Sequence, residues 1–108
     1  MFYPATQIHI VVEKFLQPQV EQILRDHKVT GYSVFAGGGR GSHGVHLVDS
    51  ASLIREFTIV KIETVVGKRD RAEAIAEEIE REVFEFNEGV LWLSQVEILR
   101  QSKFNNAD

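Results

Sequence analysis

The residues best suited to chemistry cluster in Gly37-Gly38-Gly39-Arg40-Gly41-Ser42-His43-Gly44, which holds five of the chain's eight glycines. Successive glycine N–H groups can curl into a concave nest that holds an anion, with Arg40 as counter-charge. Alternatively, the glycines simply let a hairpin loop turn, because they adopt positive φ without strain. Gly39-x-Gly41-x-x-Gly44 formally matches a dinucleotide-binding turn. That turn needs a helix opening directly from it and an acidic residue about 20 positions on at a strand end. No helical period follows Gly44 and Glu63 lies inside a strand pattern, so that reading is rejected. Ser42 and His43 are neighbours in sequence and do not face each other as a nucleophile and its base must, and no acid is placed to orient them. Four histidines, His9, His27, His43 and His46, raise the question of metal. Zinc takes three or four ligands, no cysteine is present, and only His43 and His46 are close in sequence. Lys61 and Glu63 alternate with Ile62, so they form either a cross-strand pair or contacts to a ligand between subunits. No catalytic residue is assigned and no turnover is expected.

Two similar strand-helix-strand halves must position these groups. Ile8, Ile10 and Val12 alternate with Gln7, His9 and Val11, a strand period. From Leu16 the period changes: Leu16, Val20, Ile23, Leu24 and His27 fall on one helical stripe, and Pro18 suits a first turn. Gly31 precedes a short β-rich run, Tyr32 to Phe35. A long segment, residues 37–56, follows with no clean period. Phe57 to Val66 reads as a strand with Val60, Ile62, Thr64 and Val66 on one face. Arg69 to Phe86 reads as a helix with Ala72, Ile75, Ala76, Ile79, Val83 and Phe86 on its stripe and Glu77 and Arg81 spaced for an ion pair. Asn87-Glu88-Gly89 makes the break, Val90 to Leu99 is the last strand, and residues 105–108 form a frayed tail.

The order predicts one α+β domain over residues 1–108: ferredoxin-like βαββαβ, a four-stranded antiparallel sheet with two helices on one face and a long loop between strands 2 and 3. The other face is also apolar. Val90, Trp92, Val96 and Ile98 share one side of the last strand, and Phe57, Ile59 and Val65 point the same way. Exposed apolar patches beyond a few hundred Å² mark interfaces, so self-association is expected, unless irregular tails cover this face.

Composition narrows the function classes. A chain of 108 residues, 44% hydrophobic and 26% charged, folds without staples. The lack of cysteine removes disulfides and thiol redox switching. No apolar run approaches the roughly 20 residues of a membrane span. Met1-Phe2-Tyr3-Pro4 lacks the regions of a signal peptide, so a cytoplasmic location without direct membrane insertion is expected. A net charge of −4 with no basic cluster argues against nucleic acid as partner.

At this level of detail the chain resembles the PII signalling proteins. Gly31-Tyr32-Ser33-Val34 followed by Gly38-Gly39-Arg40-Gly41-Ser42 is similar to the opening of their large T-loop. Val60-Lys61-Ile62-Glu63-Thr64-Val65-Val66 resembles the strand that closes it. Val96-Glu97-Ile98-Leu99-Arg100, with Lys103-Phe104, is similar to the end of the PII-like proteins associated with bicarbonate transport. The resemblance implies a homotrimeric regulatory protein with no obligatory cofactor. Its effector would be an adenine nucleotide (AMP, ADP, ATP or cyclic AMP) bound in clefts between subunits. Its T-loop-like segment, residues 37–56, would regulate a membrane transporter or metabolic enzyme. Carried over by position, the ligand-binding residues would be Gly31 and Ser33 before the loop and Gly38, Gly39, Arg40, Gly41, Ser42, His43 and His46 within it. Glu63 and Val65 would follow on the closing strand, with Arg100 at the end.

The chain also departs from the pattern. PII proteins proper carry a glycine- and lysine-bearing loop before the last strand that clamps phosphates; here that connection is Asn87-Glu88-Gly89. The bicarbonate-associated relatives carry arginines where this chain has His43 and His46. Histidine is mostly neutral near pH 7, so phosphate affinity is expected to fall or to depend on pH. A metal-binding trimer of topology similar to the CutA family is the alternative, and a small enzyme of the same fold a third reading.

Overall fold

In the computed structural model, which describes residues 1–38 and 58–104, the alternation around Ile8 becomes β1, Tyr3–Glu13. A 3-10 turn, Lys14–Leu16, leads into α1, Gln17–Asp26. β2 is Ser33–Gly37, β3 is Ile59–Val66, α2 is Arg69–Glu82, and β4 is Gly89–Ile98, followed by the short α3, Gln101–Phe104. The strands lie in the order β2-β3-β1-β4, each antiparallel to its neighbour. This is the expected ferredoxin-like α+β arrangement. Gly37 belongs to β2, so β2 reaches into the segment read as loop. Residues 39–57 and 105–108 lie outside the described residues, so most of the T-loop-like segment and the tail are not described.

Period-2 burial drives the packing. Ile8, Ile10 and Val12 of β1 and Val60, Ile62 and Val66 of β3 are buried on one face. They meet Val20, Ile23 and Leu24 of α1 and Ala72, Ile75, Ile79 and Val83 of α2 and its end. Each such side chain taken from water contributes roughly 1.5–3 kcal/mol, which places most of the fold's stability in this single layer. The helices are tied to each other at their ends. Gln19 donates to the Glu82 carbonyl at 3.0 Å, and His27 Nε2 meets Glu78 Oε1 at 2.7 Å. The Arg71 guanidinium donates to the His27 carbonyl. His27 is thus a helix tether.

Helix ends explain two differences from the sequence reading. α2 stops at Glu82 rather than running to Phe86. The N–H groups of Val83 and Phe84 both donate to the Ile79 carbonyl, at 2.8 and 3.2 Å, and the Asn87 side chain donates to the Val83 carbonyl at 2.8 Å. Asn87 thereby satisfies one of the orphan carbonyls of the last turn. Phe86 falls past the end and is 88% exposed, off the buried stripe. The connection to β4 is therefore residues 83–88, longer than Asn87-Glu88-Gly89, yet it still holds no Lys or Arg. The i,i+4 pair on α2 that the geometry records is Arg69 with Glu73 at 2.9 Å, nearer the helix start than the Glu77–Arg81 spacing suggested.

Candidate functional site

The face of the sheet away from the helices carries a row of polar and aromatic residues. Register places Ser33, Glu63, His9 and Trp92 side by side across β2, β3, β1 and β4. Because side chains alternate faces along a strand, the same arithmetic that buries Ile8 and Ile10 puts Gln7, His9 and Val11 on this open side. The His9 and Trp92 rings stack, 4.8 Å between centroids and 4° from parallel. His9 Nδ1 lies 3.2 Å from Glu63 Oε2 and Nε2 lies 2.9 Å from Ser94 Oγ. Lys61 Nζ completes the group, 2.8 Å from Glu63 Oε2 and 5.2 Å from the Trp92 ring centre. The Lys61–Glu63 pair thus joins neighbours on one strand rather than crossing between strands. His9 makes the cross-strand bond.

Glu63 is the node. Its carboxyl is held below its ordinary value of 4.5, first by the hydrogen bond from Lys61, against the opposing effect of burial, and further by Lys61's charge and by His9. An ionised carboxylate only accepts hydrogen bonds, so Nδ1 of His9 carries the proton shared with Glu63. Serine, imidazole and carboxylate are linked in the order a hydrolytic relay uses, but a relay needs a concavity at its nucleophile. The cavity here lies on the other side of Glu63, and neither His9 nor Ser94 lines it.

That cavity, about 260 Å³, sits at the start of β2. Gly31 and Ser33 form one wall, Glu63 and Val65 another, with Gln7 and Lys103 at its margins. The buried Thr64 hydroxyl donates to the Gly31 carbonyl at 2.6 Å and fixes the backbone there. Four of the positions singled out from sequence, Gly31, Ser33, Glu63 and Val65, are therefore brought together. Gly38 is exposed beyond β2, and Arg100 is exposed in the turn before α3, where its carbonyl accepts from the Lys103 N–H at 3.2 Å. Lys103, not Arg100, reaches the cavity wall. Gly39, Arg40, Gly41, Ser42, His43 and His46 lie outside the described residues. Among the described residues no group of three His, Cys, Asp or Glu could hold a metal ion. No described helix is long and apolar enough to cross a membrane.

Sequence reasoning did not assign His9, Ser94, Trp92 or Lys103 to this site. The faces of His9 and Trp92 were legible from alternation. Their partnership was not, because it depends on the register of β1 against β3 and β4.

Comparison with known proteins agrees with the geometry. The model of the nitrogen regulatory protein P-II family matches residues 5–103. CPII from Thiomonas intermedia K12, bound to ADP, AMP and acetate, superposes with a TM-score of 0.81 at 21% identity, over 98% of this chain and 99% of that one. The same protein bound to ADP, AMP and bicarbonate gives 0.79 at 24% identity, over 98% of each chain. A PII-like signalling protein from Thermus thermophilus gives 0.77 at 22% identity, over 95% of this chain and 97% of that one. At these identities the superpositions speak for the fold. The family match, spanning almost the whole chain, speaks for descent: the protein belongs to the nitrogen regulatory protein P-II family.

Proposed function

We propose that the protein is a cytoplasmic PII-like trimer that senses an adenine nucleotide at the β2–β3 cavity and passes its state to a transporter or enzyme. The segment between β2 and β3 is the messenger. The observation that carries this reading is the position of the cavity. It lies at the start of β2 and is joined to that segment by the paired β2 and β3 strands, and its Gln7, Ser33, Glu63 and Val65 walls belong to the open, partly apolar sheet face. A sister chain laid on that face completes the wall that one chain lacks. The bound ADP, AMP and bicarbonate of the CPII structures support nucleotide as the ligand and bicarbonate as a second anion to try. Lys103 offers a cation for a phosphate, a role the connection of residues 83–88 has no basic residue to fill. Ligand bound between the far ends of β2 and β3 would favour, through those two strands, one arrangement of the loop over others, which is all a population shift requires.

The test is a melting and calorimetry panel of AMP, ADP, ATP and cyclic AMP, each with and without bicarbonate. At least one nucleotide is expected to bind and to raise the melting temperature. Ligand at 100 times its Kd adds about 2.7 kcal/mol of stability, a shift of many degrees in a domain this small. Flat curves and no heat across the panel at millimolar ligand would overturn the reading.

A further inference from the structure

We infer that His9 is a positioning residue of the ligand site: braced by Ser94 and stacked on Trp92, it fixes the Glu63 carboxylate so that one oxygen faces the cavity as an acceptor for a ligand hydroxyl or amine. This rests on the nucleotide reading of the cavity given above.

The two oxygens of Glu63 are used unequally. Oε2 takes both strong partners, Lys61 at 2.8 Å and His9 at 3.2 Å. Among the described residues Oε1 has a single long contact, from Gln7 Nε2 at 3.5 Å, and Gln7 itself lines the cavity. A carboxylate offers about four lone-pair sites, so Oε1 has acceptor capacity in hand where Glu63 forms the wall. Lys61 alone would not fix the carboxylate plane, because an ammonium on a flexible stem is a point charge without directional demand. The imidazole is directional. Its Nδ1–H aims at Oε2, its Nε2 is held by Ser94 at 2.9 Å, and its plane is set by the indole at 4.8 Å. Both ring nitrogens and one ring face are therefore engaged, and the side chain is only 11% exposed. Such a ring is a strut from β4 through β1 to β3, and its far end is the carboxylate that a ligand would meet.

The partner chemistry follows from what Oε1 can do. It can only accept, so it recognises a ligand that brings N–H or O–H donors: the ribose diol of a nucleotide or the exocyclic amine of adenine. Phosphates bring no such donor and would lie elsewhere in the cleft, nearer Lys103. The same strut predicts a spectroscopic signature. Trp92 is the only tryptophan in the chain, and a change at Glu63 on ligation reaches it through His9, which bonds Glu63 and stacks on the indole.

The experiment measures affinity for an adenine nucleotide, its 2′,3′-dideoxy analogue and the matching inosine nucleotide, in the wild type and in His9→Phe. Phenylalanine keeps the stack and loses both hydrogen bonds. The wild type is expected to prefer the parent over at least one analogue by about tenfold, the worth of one hydrogen bond to a charged group. In His9→Phe that preference collapses towards unity while oligomeric mass and far-ultraviolet spectrum are kept. Trp92 emission is expected to change on saturation with nucleotide in the wild type and to stay constant in Glu63→Gln. If His9→Phe does not fold, His9→Asn takes its place, since its short amide cannot span from Ser94 to Glu63, and the same collapse is required. A folded variant that keeps the wild-type preference, or that loses affinity equally for all three nucleotides, overturns the role of His9. Absence of any binding to the wild type would instead sink the nucleotide reading on which it rests.

Discussion

At the scale of single residues, Glu63 joins two jobs, lining the cavity and anchoring the polar cluster, and its titration should report the second. Its carboxyl is held below 4.5 by Lys61 and His9. A carboxyl whose pKa is depressed on folding stabilises the fold fully above its unfolded value, and that contribution is lost as pH falls through the folded value. The melting temperature of wild type should therefore exceed that of Glu63→Gln at neutral pH, and the gap should close as pH drops below about 4.5. Taking the difference between the two proteins cancels the other acids. A gap that stayed constant from pH 7 to pH 3 would mean that the Lys61 and His9 contacts do not distinguish carboxylate from carboxyl. The sequence put Glu63 beside Lys61 on an alternating strand and offered a cross-strand pair or ligand contacts; its closest partner is instead Lys61 on the same strand, at 2.8 Å. It could not reveal His9, since a histidine in a strand has no preferred partner until register is set, and one residue of slip would turn it to the opposite face.

At the scale of elements, strand and helix periods were legible because one face of each is driven into the same core. The ends were not. Asn87 closes α2 by reaching back four residues to the Val83 carbonyl, a local cap that left Phe86 outside although its spacing fits the stripe. The end of α1 is a second case, and it carries a prediction. Lys28 has φ of 59°, its N–H donates to the Arg25 carbonyl at 2.9 Å, and the Val29 N–H donates to the Leu24 carbonyl at 3.3 Å. Those two bonds form the Schellman pattern, whose left-handed position normally takes glycine. A lysine Cβ there is strained by roughly 1–2 kcal/mol, partly offset because glycine loses more freedom on folding. Lys28→Gly should thus stabilise the protein by about 1 kcal/mol, read as a higher denaturant midpoint at unchanged m-value. A lower midpoint would show that the Lys28 side chain makes contacts worth more than the strain.

At the scale of the whole molecule, the helix-covered face explains how one chain folds, and the bare face is the surface on which the proposed association would rest. On that face Phe35 is 54% exposed, Val90 56% and Trp92 41%, with Ile59, Val65 and Val96 half-buried around them. Covering the open part of the Trp92 ring alone, about 100 Å² at roughly 25 cal/mol/Å², contributes about 2.5 kcal/mol per copy. The polar cluster sits in the middle of this surface with the Lys61 ammonium paired to the Glu63 carboxylate and His9 bonded to Glu63 and Ser94, so a partner can cover it without stranding a charge. Val90 is the place to test the association. It is too exposed in the single chain for its loss to unfold the domain, and it stands opposite Val11 on the open face. Val90→Asp would bring an unpaired carboxylate into a shared apolar surface, a penalty of several kcal/mol for every copy. The wild type is expected to sediment as a trimer at micromolar concentration. Val90→Asp should sediment as a single chain with the same far-ultraviolet spectrum, and should lose nucleotide affinity with its partners because the cleft is then one-walled. A wild type of single-chain mass would remove the second wall altogether. A variant that remained trimeric would move the contact surface away from β4.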